Sequence, residues 1–361
     1  MTLDILCVTG SRADWGLLKS PARRLADDPR FAVRLLATGT HLSEAYGATV
    51  REIEADGFQV DHRVGILDAE GHDAGGDDAA AVTRALSRAI DGVGAVLAAQ
   101  PPDLMVVLGD RYEILGAVTA AVMAGVPVAH LCGGDITEGA VDDAMRHAIT
   151  KMSHLHFVTN ADAAARVRQM GEDPARVHEV GSPGLDALPA RDPEAGARLR
   201  AELGLRTHGP LLLVTFHPAT LDPTPGPDQF AELAAALDDA RGEAEVLLTG
   251  SNADAEGRTL SRMAEDFAAR RDNVAYRPSL GHARYLTTLA TATAVVGNSS
   301  SGLYEAPSFG IPSVNIGDRQ AGRLRASSVI DCQAERGPIA AAIRRALATD
   351  ASGAVNPYGD G

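Results

Sequence analysis

Cysteine is scarce in this 361-residue chain, which holds only Cys7, Cys132 and Cys332. The number is odd and the positions are far apart. They read as buried thiols in a reducing compartment, not as a disulfide framework, and their spacing fits no metal site. Aromatic residues make up 4% of the chain, so Ala, Leu and Val must fill the cores that a 45% hydrophobic share allows. Positive charge is in deficit, and the net charge of −15 argues against nucleic acid and against an anionic membrane surface. It also opposes any anionic small molecule, which would need a local basic cluster. Individual arginines therefore matter. No apolar stretch reaches the length of a membrane span. The opening TLDILCVTG runs directly into a strand, with no charged lead and no cleavage site. The expectation is a soluble, cytoplasmic protein. No GxGxxG and no metal-ligand cluster is present, so neither a cofactor nor a metal is expected.

What the chain does have is alternation. Strand-like runs lie near 3–9, 32–38, 103–108, 127–131 and 154–159, then near 210–216, 244–249, 273–276, 293–296 and 312–315. Helical stretches rich in Ala, Leu and Arg lie between them, among them 79–99, 112–124, 161–170, 228–240 and 257–270. Short apolar strands each followed by a helix predict parallel sheets buried on both faces. A junction is expected at 184–209, where Pro189 and Pro193 fall. The reading is α/β, with two doubly wound domains facing a cleft. One spans 1–185 and carries most of the acids. The other spans 186–335. The Gly/Asp-rich stretch 65–78 reads as a solvated loop or as a flap over the cleft.

Polar residues collect where strands end, which is where ligands bind in such sheets. The run VVGNSSSGLYEAPSFGIPSVNIG, 295–317, turns from a strand through Gly and three serines toward a helix. Free backbone N–H groups at such a turn suit phosphate. Ser299 as an ordinary N-cap is the plainer alternative. Glu305, one turn on, suits ribose hydroxyls. TGSRADWG follows the first strand with Arg12 and Asp14, and GDRYE follows DLMVVL with Asp110, Arg111 and Glu113. CGGDITEGAVDDAMRHAITK follows VPVAHL with Asp135, Asp142, Asp143, Arg146 and His147, and His217 follows LLLVTF. A lone acid after a strand is usually a helix cap. Several acids, two arginines and a histidine on strand ends of one face point beyond capping. Asp142 and Arg146 are four apart and share a helix face.

The motifs GSRADWG, LGDRYE, the Gly-Gly-acid after a strand, DDAMRHAITK, VTFHP, GNSSSG and EAPSFGIPSVNIG together resemble the UDP-N-acetylglucosamine 2-epimerase family. They look most like its hydrolysing branch. The resemblance runs from residue 5 to residue 359. It implies two Rossmann-like domains in a GT-B glycosyltransferase-like arrangement, with a UDP-sugar as the small-molecule partner and a helix near 337–348 packed back on the first domain. It also implies loss of the C2 proton, expulsion of UDP from C1, and a 2-acetamidoglucal intermediate. Reprotonation then comes from the opposite face, with addition of UDP or water. By position, Asp110, Asp135 and Asp142 match the catalytic acids, Arg146 the arginine beside them, and His217 a histidine near the phosphates, placed with Arg12 as a positive partner for the departing pyrophosphate. Ser299, Ser300, Ser301 and Gly302 match the diphosphate turn, Glu305 the ribose acceptor, and Arg12 the N-terminal arginine.

Two departures stand out. The Gly-Gly-acid motif usually carries Glu, and Asp135 is one methylene shorter. A lysine five residues after the N-terminal arginine is replaced by Leu17, with Lys19 nearby. The motif set leans to the hydrolysing outcome. A UDP-diamino sugar is an alternative substrate, and a glycosyltransferase or a UDP-sugar-binding module are alternative functions. A homo-oligomer, most simply a dimer formed through Ala-rich helices, is expected.

Overall fold

The computed structural model describes residues 2–67, 79–138, 141–186, 188–219, 222–251 and 256–360. Most of the 65–78 loop, from 68 onward, lies outside the described residues. The chain divides into two compact units. One comprises Met1–Asp135 and Asp142–Asp186, the other Ile136–Val141 and Ala187–Gly361. The segment 136–141 therefore leaves the first unit and returns to it.

The first unit is built on seven strands: β1 (Leu3–Thr9), β2 (Phe31–Thr38), β3 (His62–Val64), β4 (Leu104–Leu108), β5 (Val128–Leu131), β6 (Leu155–Val158) and β7 (Val177–Glu179). They form one sheet in the order β3-β2-β1-β4-β5-β6-β7, and every pairing is parallel. The two-residue period sorts the central strands into two cores. Leu6, Val8, Met105 and Val107 face helices Ala79–Ala99 and Tyr112–Ala124. Ile5, Cys7, Val106 and Leu108 face Trp15, Leu18 and Ile53. The small residues serve close packing inside the chain. Ala81, Ala85 and Ala89 are buried, and a Cβ on Gly116 would come 2.7 Å from that of Ala89. This Ala-rich face, a candidate for subunit contact in the sequence, is thus covered within the unit.

The second sheet has six strands: β8 (Leu211–Thr215), β9 (Glu245–Thr249), β10 (Val274–Arg277), β11 (Ala294–Gly297), β12 (Ser313–Ile316) and β13 (Val329–Cys332). Their order is β10-β9-β8-β11-β12-β13, again with parallel pairings. The helix Arg336–Ala348 does not return to the first unit as expected. Its apolar face, Ile339, Ala342, Ile343 and Ala346, joins the core formed by Leu212, Val214, Leu233 and Leu237. That face is already matched to its own sheet. Among the described residues no helix is long and apolar enough to cross a membrane.

Strand order reverses between β1 and β4 in the first sheet and between β8 and β11 in the second. Connections leave in opposite directions at such points and open a crevice at the carboxyl ends of the strands.

Candidate active site

In the first unit, β1 runs out through Gly10 into the helix Arg12–Asp27. Ser11 Oγ accepts from Asp14 N at 3.3 Å, and Asp14 Oδ2 accepts from Gly10 N at 3.3 Å. This reciprocal cap fixes the turn. Asp14 is buried, and burial pushes its carboxyl up to about 7 against the pull of Arg111. Arg12 is exposed at the first helical position. Lys19, the nearby substitute for the missing lysine, is engaged with Asp56. β4 ends at Gly109, with φ +83°, and delivers Asp110 and Arg111. Arg111 Nε donates to Glu113 Oε1 at 2.6 Å, and the Glu113 side chain is 0% exposed. The Glu113 charge raises the Arg111 pKa well above its ordinary value. Glu113 Oε2 has no hydrogen-bond partner.

Arg146 gathers the neighbouring strand ends. Its side chain is 3% exposed, on the helix Asp142–Met152. Nη2 pairs with Asp110 Oδ2, while Nη1 donates to the Asp135 carbonyl at 2.9 Å and lies 3.5 Å from Asp143 Oδ1. An arginine fork can serve several acceptors at once, which a lysine cannot do with the same geometry. Asp143 is thus a same-helix partner of Arg146. Asp142 heads that helix, half-buried. The Asp135 carboxylate is held elsewhere. Its Oδ1 accepts from Thr159 Oγ1 at 2.8 Å and Asn160 Nδ2 at 3.1 Å. Gly134 permits this tight loop, because its φ is +76° and a Cβ there would lie 2.6 Å from the Ala163 carbonyl.

A residue that sequence reasoning missed lies beneath this loop. His130 Nε2 is 2.7 Å from the Gly109 carbonyl, and Nδ1 is 3.2 Å from Thr150 Oγ1. A carbonyl only accepts, so Nε2 carries the proton. Burial lowers the His130 pKa to about 4, which keeps the ring neutral. It holds the turn before Asp110 against the Arg146 helix.

In the second unit, Gly297 ends β11 with φ +136°, and a Cβ there would fall 1.9 Å from the Thr215 carbonyl at the end of β8. Only glycine allows that approach. Asn298, also missed beforehand, then clamps the two strand ends. His217 N donates to Asn298 Oδ1 at 2.7 Å, and Asn298 Nδ2 donates to the His217 carbonyl at 2.8 Å. The Asn298 carbonyl accepts from Arg319 Nη1 at 3.1 Å and Gln320 Nε2 at 2.8 Å. The signal for these two was present in GDRQAGR after β12, a basic run on a strand end. His217 was expected to offer positive charge. Burial first, and Arg319 second, hold its pKa well below the ordinary value, so the ring is neutral.

The serine turn is also shorter than expected. The helix spans only Ser301–Tyr304 and passes into a 3₁₀ turn, Ala306–Phe309. So short an element adds little dipole. What remains is local: Ser301 N donates to Ser299 Oγ at 3.4 Å, and Gly302 N to the Ser299 carbonyl at 3.2 Å. The amides before Ser301 precede the first helical acceptor. Glu305 follows with its carboxyl pKa raised by burial. Glu305, Ser301 and Tyr285 place their polar ends together in a buried cluster, with the Ser301 hydroxyl beside both the Glu305 carboxyl and the Tyr285 phenol. Among the described residues no group of three or more His, Cys, Asp or Glu is arranged to hold a metal.

The expected residues thus gather in two sets. Asp110, Arg146 and the Asp135 loop meet in the first unit, with Arg12 exposed at its helix start. In the second, Asn298 joins His217 to the turn that carries Ser299–Gly302 and Glu305.

Comparison with known proteins bears on the family and the fold. A protein from Campylobacter jejuni, "GDP/UDP-N,N'-diacetylbacillosamine 2-epimerase (hydrolyzing)", is 34% identical over 330 residues, covering 91% of this chain and 84% of that protein. "Polysialic acid biosynthesis protein P7" of Escherichia coli is 36% identical over 341 residues, covering 93% of this chain and 84% of that protein. The solved structure of UDP-GlcNAc 2-epimerase from Neisseria meningitidis bound to UDP-GlcNAc has a TM-score of 0.82 at 15% identity, covering 99% of this chain and 96% of that one. It shares the GT-B-like fold. The sequence model of the UDP-N-acetylglucosamine 2-epimerase family matches residues 23–361, and the chain belongs to that family.

Proposed function

We propose that this protein is a hydrolysing 2-epimerase acting on a UDP-linked 2-acetamido sugar. The observation that carries the reading is the buried Arg146, which binds the Asp110 carboxylate and the Asp135 backbone at neighbouring strand ends. Inverting C2 requires a proton to leave one face of the ring and another to arrive at the opposite face. Two or more carboxyl groups held at fixed positions are suited to that task. In the proposed path the C1–O bond to UDP breaks as the C2 proton is lost, giving a 2-acetamidoglucal and UDP. Water then adds at C1 while C2 takes a proton on its other face. Asp110, Asp135 and Asp142 move the protons, and Arg146 fixes Asp110 and the Asp135 loop in place.

UDP is assigned to the second unit. The clustered polar groups of Glu305, Ser301 and Tyr285 match the hydroxyl-rich ribose. The amides of Ser299 and Ser300, with Gly302, are assigned to the diphosphate. His217 joins as a neutral hydrogen-bonding group, and Arg319, bonded to the Asn298 carbonyl, supplies positive charge that the chain as a whole lacks.

The name of the Campylobacter relative favours a second substrate, a UDP-linked diacetamido sugar, for the same chemistry. Incubation with each sugar nucleotide in D₂O, followed by proton and phosphorus NMR, tests the reading. Deuterium at C2 with free UDP and the free 2-epimer is expected from one of the two. Intact UDP-linked epimer would replace the hydrolysing outcome with the reversible one. UDP release that needs an acceptor sugar, without C2 exchange, would favour a transferase.

A further inference from the structure

The segment after Asp135 is part of the second unit, and Arg323 holds it there. Arg323 Nη2 donates to Thr137 Oγ1 at 2.9 Å and Nε to the Ile136 carbonyl at 3.4 Å. Its third donor, Nη1, reaches Gln320 Oε1 at 2.7 Å, and Gln320 in turn donates to the Asn298 carbonyl. Glu138 N adds a bond to the Ala321 carbonyl at 3.2 Å. Gly322 makes room for the segment, since a Cβ there would fall 2.4 Å from Ile136 Cγ2, at φ +81°. Two consecutive carbonyls are thus held by different arginines, Asp135 by Arg146 and Ile136 by Arg323. One peptide further on, the chain is tied through Gln320 to the same Asn298 that clamps His217.

We propose that Arg323 is a positioning residue for Asp135, acting through the segment 136–138 that follows it. The chemistry at stake is that of the proposed function, on which this inference rests. A displacement of about 1 Å in a reacting group costs on the order of 10²-fold in rate. A residue that holds the segment next to a reacting acid can therefore control kcat.

The test uses the full chain with Arg323→Met, Thr137→Val and the double variant. Arg323→Met is expected to lower kcat by roughly 10–100-fold while the Kd for UDP, by calorimetry, stays within about threefold. Thr137→Val is expected to lose less. The double variant should be no worse than Arg323→Met, because both remove one tether. Backbone hydrogen exchange in peptides covering 135–142 should quicken in Arg323→Met. That readout needs no turnover, so it still judges the tether if the wild-type protein proves inactive on the sugars tried. Unchanged exchange in this segment, additive losses in the double variant, or a fall in UDP affinity equal to the fall in kcat would overturn the proposal.

Discussion

The two switch points of this protein are built alike and furnished differently. At the first, between β1 and β4, charge is balanced by charge: Asp110 with Arg146, Arg111 with Glu113. At the second, between β8 and β11, neutral groups dominate. An amide clamps the strand ends and His217 is uncharged. Buried ion pairs hold ionisable groups at fixed places, at a desolvation cost that a purely structural site does not need. Buried polar groups of this kind suit a ligand with hydroxyls to exchange hydrogen bonds. Under the proposed function, proton chemistry falls to the first unit and nucleotide binding to the second.

The contrast can be broken at several depths. Asp110→Asn removes the carboxylate that pairs with Arg146, and kcat should fall by about 10³-fold, in the range of a lost acid–base group. Steady-state UDP release checks this. Gly297→Ala forces a Cβ onto the Thr215 carbonyl and should destabilise the second unit by about 3 kcal/mol or more, read by chemical denaturation. Asn298→Ala leaves the His217 amide and carbonyl without their side-chain partners. It should cost about 2–3 kcal/mol of stability and weaken UDP binding in calorimetry, with little effect on any C2 exchange that survives at saturating substrate. Glu305→Gln keeps the shape and removes the carboxylate, and should weaken UDP by about tenfold, or 1.4 kcal/mol.

The smallest effect concerns Asp14. Its carboxyl titrates at about 7 in the folded chain, against the ordinary value of 3.8. Above 3.8 the unfolded chain has already released this proton while the folded chain retains it. The contribution of this group is therefore complete at low pH and is lost as pH rises from about 4 to about 7. Asp14→Asn keeps an acceptor for Gly10 N and should flatten that part of the stability curve, with a gain of about 1–2 kcal/mol near pH 7.5. Denaturation midpoints measured from pH 4 to 8 check it.

How much of this was legible depended on distance along the chain. Central strands such as β4 and β8 announce themselves because they are apolar on both faces. The edge strands β3, His62–Val64, and β7, Val177–Glu179, bury little and carry polar residues, so the alternation signal never forms. β13, the second sheet's edge, is missed for the same reason. Asp110, Arg146 and His217 were legible as strand-end and helix-start residues. Their partners were not. Arg146 reaches Asp110 across 36 positions and Asn298 reaches His217 across 81, and no local pattern encodes such pairings. Helical spacing brings Arg146 to the acids of its own helix, Asp143 among them, whereas its reach to Asp110 is set by packing. The charge on His217 was misjudged because burial depth is a tertiary property. The return of helix 337–348 to the first unit was expected from family resemblance alone, and its apolar face instead completes the second core.

The division of labour is tested most directly by measuring two quantities on the same pair of variants, Asp110→Asn and Glu305→Gln. One is the rate of deuterium entry at C2 of the substrate in D₂O at saturation, and the other is the Kd for UDP. The account predicts that Asp110→Asn loses exchange by about 10³-fold with UDP affinity kept, while Glu305→Gln loses UDP affinity with exchange at saturation kept. Proportional loss of both quantities in both variants would contradict it.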